Sequence, residues 1–167
     1  MKKNSNSRNS DINILKEEIQ NTKEILRNLY KYHDDFMRKD FKRLKKGRAS
    51  SIVIADIIEK SYTCLETLFM RISQFFENNL SKERWHMDLL HKMTLSINGI
   101  RIAAISNKTY AVLLEILKFR HFKRYYFELE YDWDKITYLQ RQFKKLKPLI
   151  SKDLQAFSIF LEKLGKL

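Results

Sequence analysis

Arg120, His121, Lys123 and Arg124 fall within five residues of one another in the stretch Leu117–Trp133, LKFRHFKRYYFELEYDW. Three aromatics, Tyr125, Tyr126 and Phe127, follow directly. A histidine flanked by guanidiniums could move a proton while fixed cations hold an anion such as a phosphate. Histidine titrates near neutral pH, so His121 is the one good acid–base group in this stretch. Arg120 and Arg124 can grip phosphate oxygens bidentately. Lys123 adds charge, and Tyr125 or Tyr126 can stack on a splayed base or donate a hydrogen bond. The stretch offers one histidine per chain, so a two-histidine mechanism requires a dimer that brings both His121 side chains together.

These residues continue a helical stripe. Leu113, Ile116 and Leu117 recur at helical spacing, and steps of three and four lead to Arg120, Arg124 and Phe127, with Tyr125 four residues beyond His121. Burying two arginines and an imidazole is costly unless something pairs with them. Either they meet carboxylates such as Glu66 or Glu128, or they line a cleft where an anion binds.

The chain of 167 residues is long enough for one domain with a real core. With 44% hydrophobic residues, 3 Gly and 1 Pro, it should form long helices with few tight turns. No apolar run of 18 residues occurs, so no transmembrane span is expected. MKKNSNSRNS has a basic start without an apolar core, unlike a signal peptide. A cytoplasmic protein is the expectation. The single Cys64 rules out an intrachain disulfide and a cysteine cluster. The net charge of +13 favours an anionic partner, although lysine-rich usage also follows from an AT-rich genome.

Residues 1–10 are expected to be a disordered lead-in, and 11–167 a single helical-bundle domain. Ser10 or Asp11 should cap a helix running to about residue 46, with a stripe that includes Ile12, Leu15, Ile19, Ile25, Leu26, Tyr32, Phe36 and Leu44. Residues 38–48 carry seven positive charges against one negative and suit either a phosphate grip or a solvated helix end. Ser50 or Ser51 should cap a second helix running to about Asn79, apolar around more than half its circumference and therefore central. Glu66 lies within it and needs a partner, an arginine of the fourth helix being the obvious one.

Ser81 should cap a shorter helix with a Trp85, Leu89 and Met93 stripe. His86 and His91, five apart, are poorly spaced to share a metal, and with no HExxH or CxxC pattern no metal site or cofactor is expected. Residues 98–107 read as a connection containing Gly99. Ser106 or Asn107 should start the fourth helix, ending near Glu130, and Asp132 should cap the last, which Pro148 should kink or split. Phe36, Phe75, Phe76 and Trp85 read as core. The expected fold is all-α: an antiparallel up-and-down bundle of four long helices plus a short one.

Four ordered patterns then resemble the HepT-like ribonuclease-toxin family, helical bundles that accompany minimal nucleotidyltransferases. They are Tyr62 with Glu66 in SYTCLETLFMRI; WHMDLLHKM, matching WHxxLLxxM through Trp85, His86, Leu89, Leu90 and Met93; RIAAIS at Arg101–Ser106; and FRHFKRYYFELEYDW, matching FRHxxR…DW. Together they span about residues 50–140. The resemblance implies a homodimer with the Arg/His stretch in a cleft between protomers. It also implies metal-independent cleavage of RNA, and a cognate nucleotidyltransferase antitoxin that in some members modifies a tyrosine with AMP; Tyr125 and Tyr126 are the candidates here. Glu66, Tyr62 and His86 would support the site. The family's better-known pattern, an arginine, a gap of four to six and then His-x-Tyr, is not present, since His121 directly follows Arg120.

Three readings stay open: a ribonuclease toxin; a non-catalytic helical antitoxin or substrate-binding partner of a nucleotidyltransferase; and a basic bundle whose Arg/His cluster is structural. A nuclease needs His121 at least partly open beside Arg120 or Arg124. A binding partner needs an exposed apolar or aromatic patch. A structural cluster needs both arginines fully paired. A membrane role is disfavoured, because no single amphipathic helix carries the positive charge.

Overall fold

A computed structural model describes residues 5–77 and 85–166. Among them lie six helices: α1 (Ser5–Lys39), α2 (Phe41–Leu44), α3 (Arg48–Phe76), α4 (Trp85–Lys92), α5 (Asn107–Tyr125) and α6 (Trp133–Leu164). The four long ones form the all-α bundle. α1 packs on α3, α3 on α5, α5 on α6 and α6 back on α1, with α3 also touching α6 across the middle.

The apolar stripes explain the packing. α1 buries Ile12, Leu15, Ile19, Leu26 and Phe36. α3 buries Ile54, Ile58, Leu65, Phe69 and Ile72, and its central position matches its broad apolar face. α6 contributes Phe143, Leu154, Phe157 and Leu161, with Leu149, Phe160 and Leu164 at the margin. Phe75 and Phe76 pack partly buried against this core. Ile25, Tyr32 and Leu44 do not join the stripe and stay exposed.

Helix ends depart from expectation where local signals yielded to their surroundings. α1 already includes Ser10 and Asp11, so neither is its cap. It ends at Lys39. Asp40 O then accepts from the amides of Arg43 and Leu44, making the single turn of α2. α3 starts at Arg48 with Gly47 as N-cap, so Ser50 and Ser51 lie inside the helix, and it ends at Phe76. The proposed cap Ser81 and the side chain of Trp85 lie outside the described residues. Ser106 does cap α5, accepting from the Thr109 amide, and Asp132 caps α6, accepting from the Asp134 amide.

α5 stops at Tyr125, not near Glu130. Beyond it the backbone is held by one local and one long-range bond: the Tyr126 hydroxyl donates to Glu130 O at 2.9 Å, and Arg48 Nη2 donates to Glu128 O at 2.6 Å. Pro148 does not split α6, which runs unbroken through it. The ring removes one helical hydrogen bond, and burial of Leu146, Ile150 and Leu154 on either side holds the helix together.

Three polar clamps fix the elements that carry the site. Arg101, fully buried, donates to Glu77, to Leu95 O at 2.7 Å and to Lys92 O at 2.9 Å, tying the end of α3 to the end of α4. Asp153 of α6 accepts from Ser106 N at 2.8 Å and from the Thr109 hydroxyl at 2.5 Å, fixing the start of α5. His33 of α1 is 1% exposed and accepts from Gln140 Nε2 of α6 at 3.2 Å, its Nδ1 lying 3.3 Å from Asp34.

Arg101→Ala should cost about 3 kcal/mol in urea unfolding, since Glu77 is left without its charge partner and buried carbonyls without their donor. His33 gives a pH prediction. Burial pushes its imidazole below 6.5, with Asp34 opposing and Lys144 reinforcing the shift. The unfolded chain therefore takes up a proton first as pH falls. Unfolding free energy should drop below pH 6.5 with a slope of up to about 1.4 kcal/mol per pH unit. His33→Gln, compared by denaturation between pH 7.5 and 5, should flatten that slope.

Candidate functional site

Tyr62 and Glu66 stand one turn apart on α3 and point toward α4 and α5. Glu66 is 5% exposed. Its Oε1 lies 2.5 Å from His86 Nδ1 and its Oε2 lies 3.4 Å from Arg120 Nη2. One buried carboxylate thus joins a histidine of α4 to an arginine of α5. Burying it alone would be costly, and the two partners offset that cost. Arg120 also stands over the Tyr62 ring, 5.9 Å from its centroid. Burial and then the Glu66 charge hold the Tyr62 hydroxyl well above its usual pKa, so it stays protonated.

His121 completes the group. Its ring meets that of His86 edge to face, 5.7 Å between centroids. It is half-buried. Burial, then His86 and Arg120, push its pKa below 6.5, while Glu66 pulls it back. A neutral imidazole at physiological pH can accept a proton. Arg120 Nε is buried and has no hydrogen-bond partner among the described residues.

The remaining predicted residues divide. Lys123 pairs with Asp56 at 3.2 Å and with Glu59 on α3, so it is a structural clamp rather than an open phosphate ligand. Burial lowers its pKa, but the two carboxylates outweigh that and hold the ammonium above its ordinary value. Arg124 is exposed and has no ion pair among the described residues. The stripe therefore leaves the core at Arg120. Phe127 lies past the helix and is 85% exposed. Tyr125 is 74% exposed. Tyr126 stacks on Phe122 at 4.8 Å and its hydroxyl is taken by Glu128 and Glu130. Glu128 meets Tyr126, and it is Glu66 that meets Arg120.

The contact of His86 with His121 within one chain was not foreseen. Two imidazoles come together without a second protomer. Its signal was present in the spacing: Tyr62 and Glu66 mark a polar strip on an otherwise apolar helix, and His86 opens the next one. What the sequence could not supply was the crossing of α4 over that strip. No group of three potential metal ligands occurs among the described residues, and no described helix is long and apolar enough to cross a membrane.

The family described as HepT-like protein matches residues 53–161, more than half of the chain and all of α4, α5 and most of α3 and α6. The chain belongs to the HepT-like family, and so to the proteins associated with toxin–antitoxin systems. Searches of curated proteins and of solved structures found no match.

Glu66→Gln keeps the shape and removes the charge. Because Glu66 raises the His121 pKa, its loss should lower the His121 midpoint further in an NMR titration of the imidazole protons. An unchanged midpoint would mean that the carboxylate does not act on His121.

Proposed function

We propose that the chain is the toxin of a toxin–antitoxin pair and cuts RNA without a metal. The observation that carries this reading is the convergence of Glu66, His86, Arg120 and His121 at one place. His121, neutral at physiological pH, takes the proton of a ribose 2′-hydroxyl. The 2′ oxygen attacks phosphorus while the bond to the 5′ oxygen breaks, and the 5′ oxygen takes a proton from His86 in its charged form. The products are a 2′,3′-cyclic phosphate end and a 5′-hydroxyl end. Arg120 stabilises the doubly charged phosphorane. Glu66 acts through others, orienting His86 and Arg120. The protein works in the cytoplasm as a homodimer, opposed by a cognate nucleotidyltransferase antitoxin. Tyr125, whose side chain is open, is then the tyrosine such a partner reaches for AMP transfer.

A second reading has its own observation. Tyr125, Phe127 and Leu129 form an exposed aromatic and apolar patch beside the cluster, which suits a non-catalytic helical antitoxin or substrate-binding partner of a nucleotidyltransferase.

Cleavage of labelled single-stranded RNA in EDTA separates the two. Wild type should cut and leave a cyclic phosphate end. His121→Ala and His86→Ala should each lose on the order of 10²–10⁴-fold in rate, and Arg120→Ala about 10²–10³-fold. Intact RNA with a folded wild type would favour the partner reading, with capture of a nucleotidyltransferase as the next measurement.

A further inference from the structure

The positive charge of this protein is not evenly spread. Between Phe41 and Ala55 the chain holds five cations and no carboxylate, and between Lys135 and Lys152 it holds six and none. These eleven account for most of the net charge of +13. All are exposed, and none forms an ion pair among the described residues.

The fold brings the two stretches together. α1 and α6 interlock through Tyr30 stacked on Phe143 at 4.2 Å and Gln140 on His33 at 3.2 Å, and Phe41 at the start of α2 lies against Trp133 at 5.8 Å. The basic turn of α2, with Lys42, Arg43, Lys45 and Lys46, therefore sits beside the start of α6. Arg141 and Lys144 follow about 12–17 Å along that helix, at 1.5 Å per residue from Trp133. Lys144 reaches far enough toward α1 to depress the His33 pKa. This is the α1–α6 side of the bundle, whereas the Glu66 cluster lies in the α3–α5 seam. Arg48, bonded to the backbone just beyond α5, joins the two sides at one end.

We propose that this surface binds the phosphate backbone of RNA as a site separate from the Arg120/His121 cluster. The choice of RNA as the polyanion rests on the ribonuclease reading. The chemistry of the patch favours a nucleic acid over other anionic partners. A protein interface needs an apolar centre, and attachment to a membrane surface needs an apolar face or a lipid. Within the two basic stretches themselves the exposed large apolar side chains are only Leu44 at 38% and Tyr138 at 38%, and the Tyr138 hydroxyl is taken by Glu115 of α5. Unpaired exposed cations without an apolar centre suit phosphates, which are held by charge and counterion release.

The test is fluorescence anisotropy with a labelled RNA hairpin, titrated in KCl from about 50 to 200 mM, a range in which phosphate binding by cations dominates. The variants are Lys42→Gln/Arg43→Gln/Lys46→Gln, Arg141→Gln/Lys144→Gln/Lys145→Gln, and a control, Lys163→Gln/Lys166→Gln, beyond the patch. Each patch variant should lower affinity tenfold or more. It should also flatten the salt slope by about two, because each phosphate that a cation neutralises adds about 0.7–0.9 to that slope. Control and His121→Ala should bind as wild type. Single-turnover cleavage at saturating RNA should be unchanged in the patch variants. If the patch variants bind like wild type while wild type cuts RNA, the surface proposal falls and the ribonuclease reading stands. If binding depends on the patch but wild type does not cut, the surface stands and the ribonuclease reading falls. Competition by poly-glutamate or by phosphatidylserine vesicles as effective as RNA itself would overturn RNA as the occupant.

Discussion

A carboxylate in an apolar helix must be compensated, and the arrangement of this bundle follows from how Glu66 meets that demand. Its two oxygens take partners from two other elements, His86 from α4 and Arg120 from α5. A hydrophobic side chain at this position would pack as well and cost less in desolvation. The charge instead makes the seam between three helices specific: α4 must lie with His86 over α3, and α5 must turn Arg120 inward. The same bonds that stabilise the seam bring the His86 ring against that of His121. Arg120 is paired as a structural residue would be, yet its Nε remains without a partner among the described residues; Arg124 is unpaired and exposed.

Much of the fold was legible because it rests on long periodic stripes. Ile12, Leu15 and Ile19 in α1, and Phe157 and Leu161 in α6, are buried as their spacing requires. Caps with a side-chain oxygen in the right place, Ser106 and Asp132, were equally legible. What failed was any boundary set by distant groups. Nothing local in YYFELEYDW says that Arg48, 80 residues away, will take the Glu128 carbonyl. The serines at 50 and 51 look like caps, but Gly47 supplies the extended backbone that begins α3.

The candidate site was half legible for the same reason. Residue types gave its chemistry, and helical spacing gave the pairing of Glu66 with an arginine of the fourth helix. Spacing also suggested that Arg124 and Phe127 continue the buried stripe; Phe127 falls beyond α5, which ends at Tyr125, and Arg124 in its last turn is exposed. The meeting of His86 and His121 depends on how α4 crosses α3, a tertiary angle that an eight-residue helix does not encode. Lys123 reads as a ligand from its neighbours in sequence, but its neighbours in space, Asp56 and Glu59, neutralise it.

The two clamps on α5 have a mechanical consequence. Asp153 holds its first turn and the Asp56–Lys123–Glu59 group holds its last. A helix secured at both ends can neither slide by a turn nor roll by a residue without breaking charged bonds, and packed helices shift between discrete seats rather than continuously. α5 thus behaves as a fixed rail, and Arg120 and His121 ride on it without freedom to re-aim. On the proposed ribonuclease reading, adjustment to ligands of different shape falls to the aromatic segment after Tyr125, where Phe127 and Leu129 are exposed. Changes there would alter what is recognised, while the geometry of the buried group stays as it is.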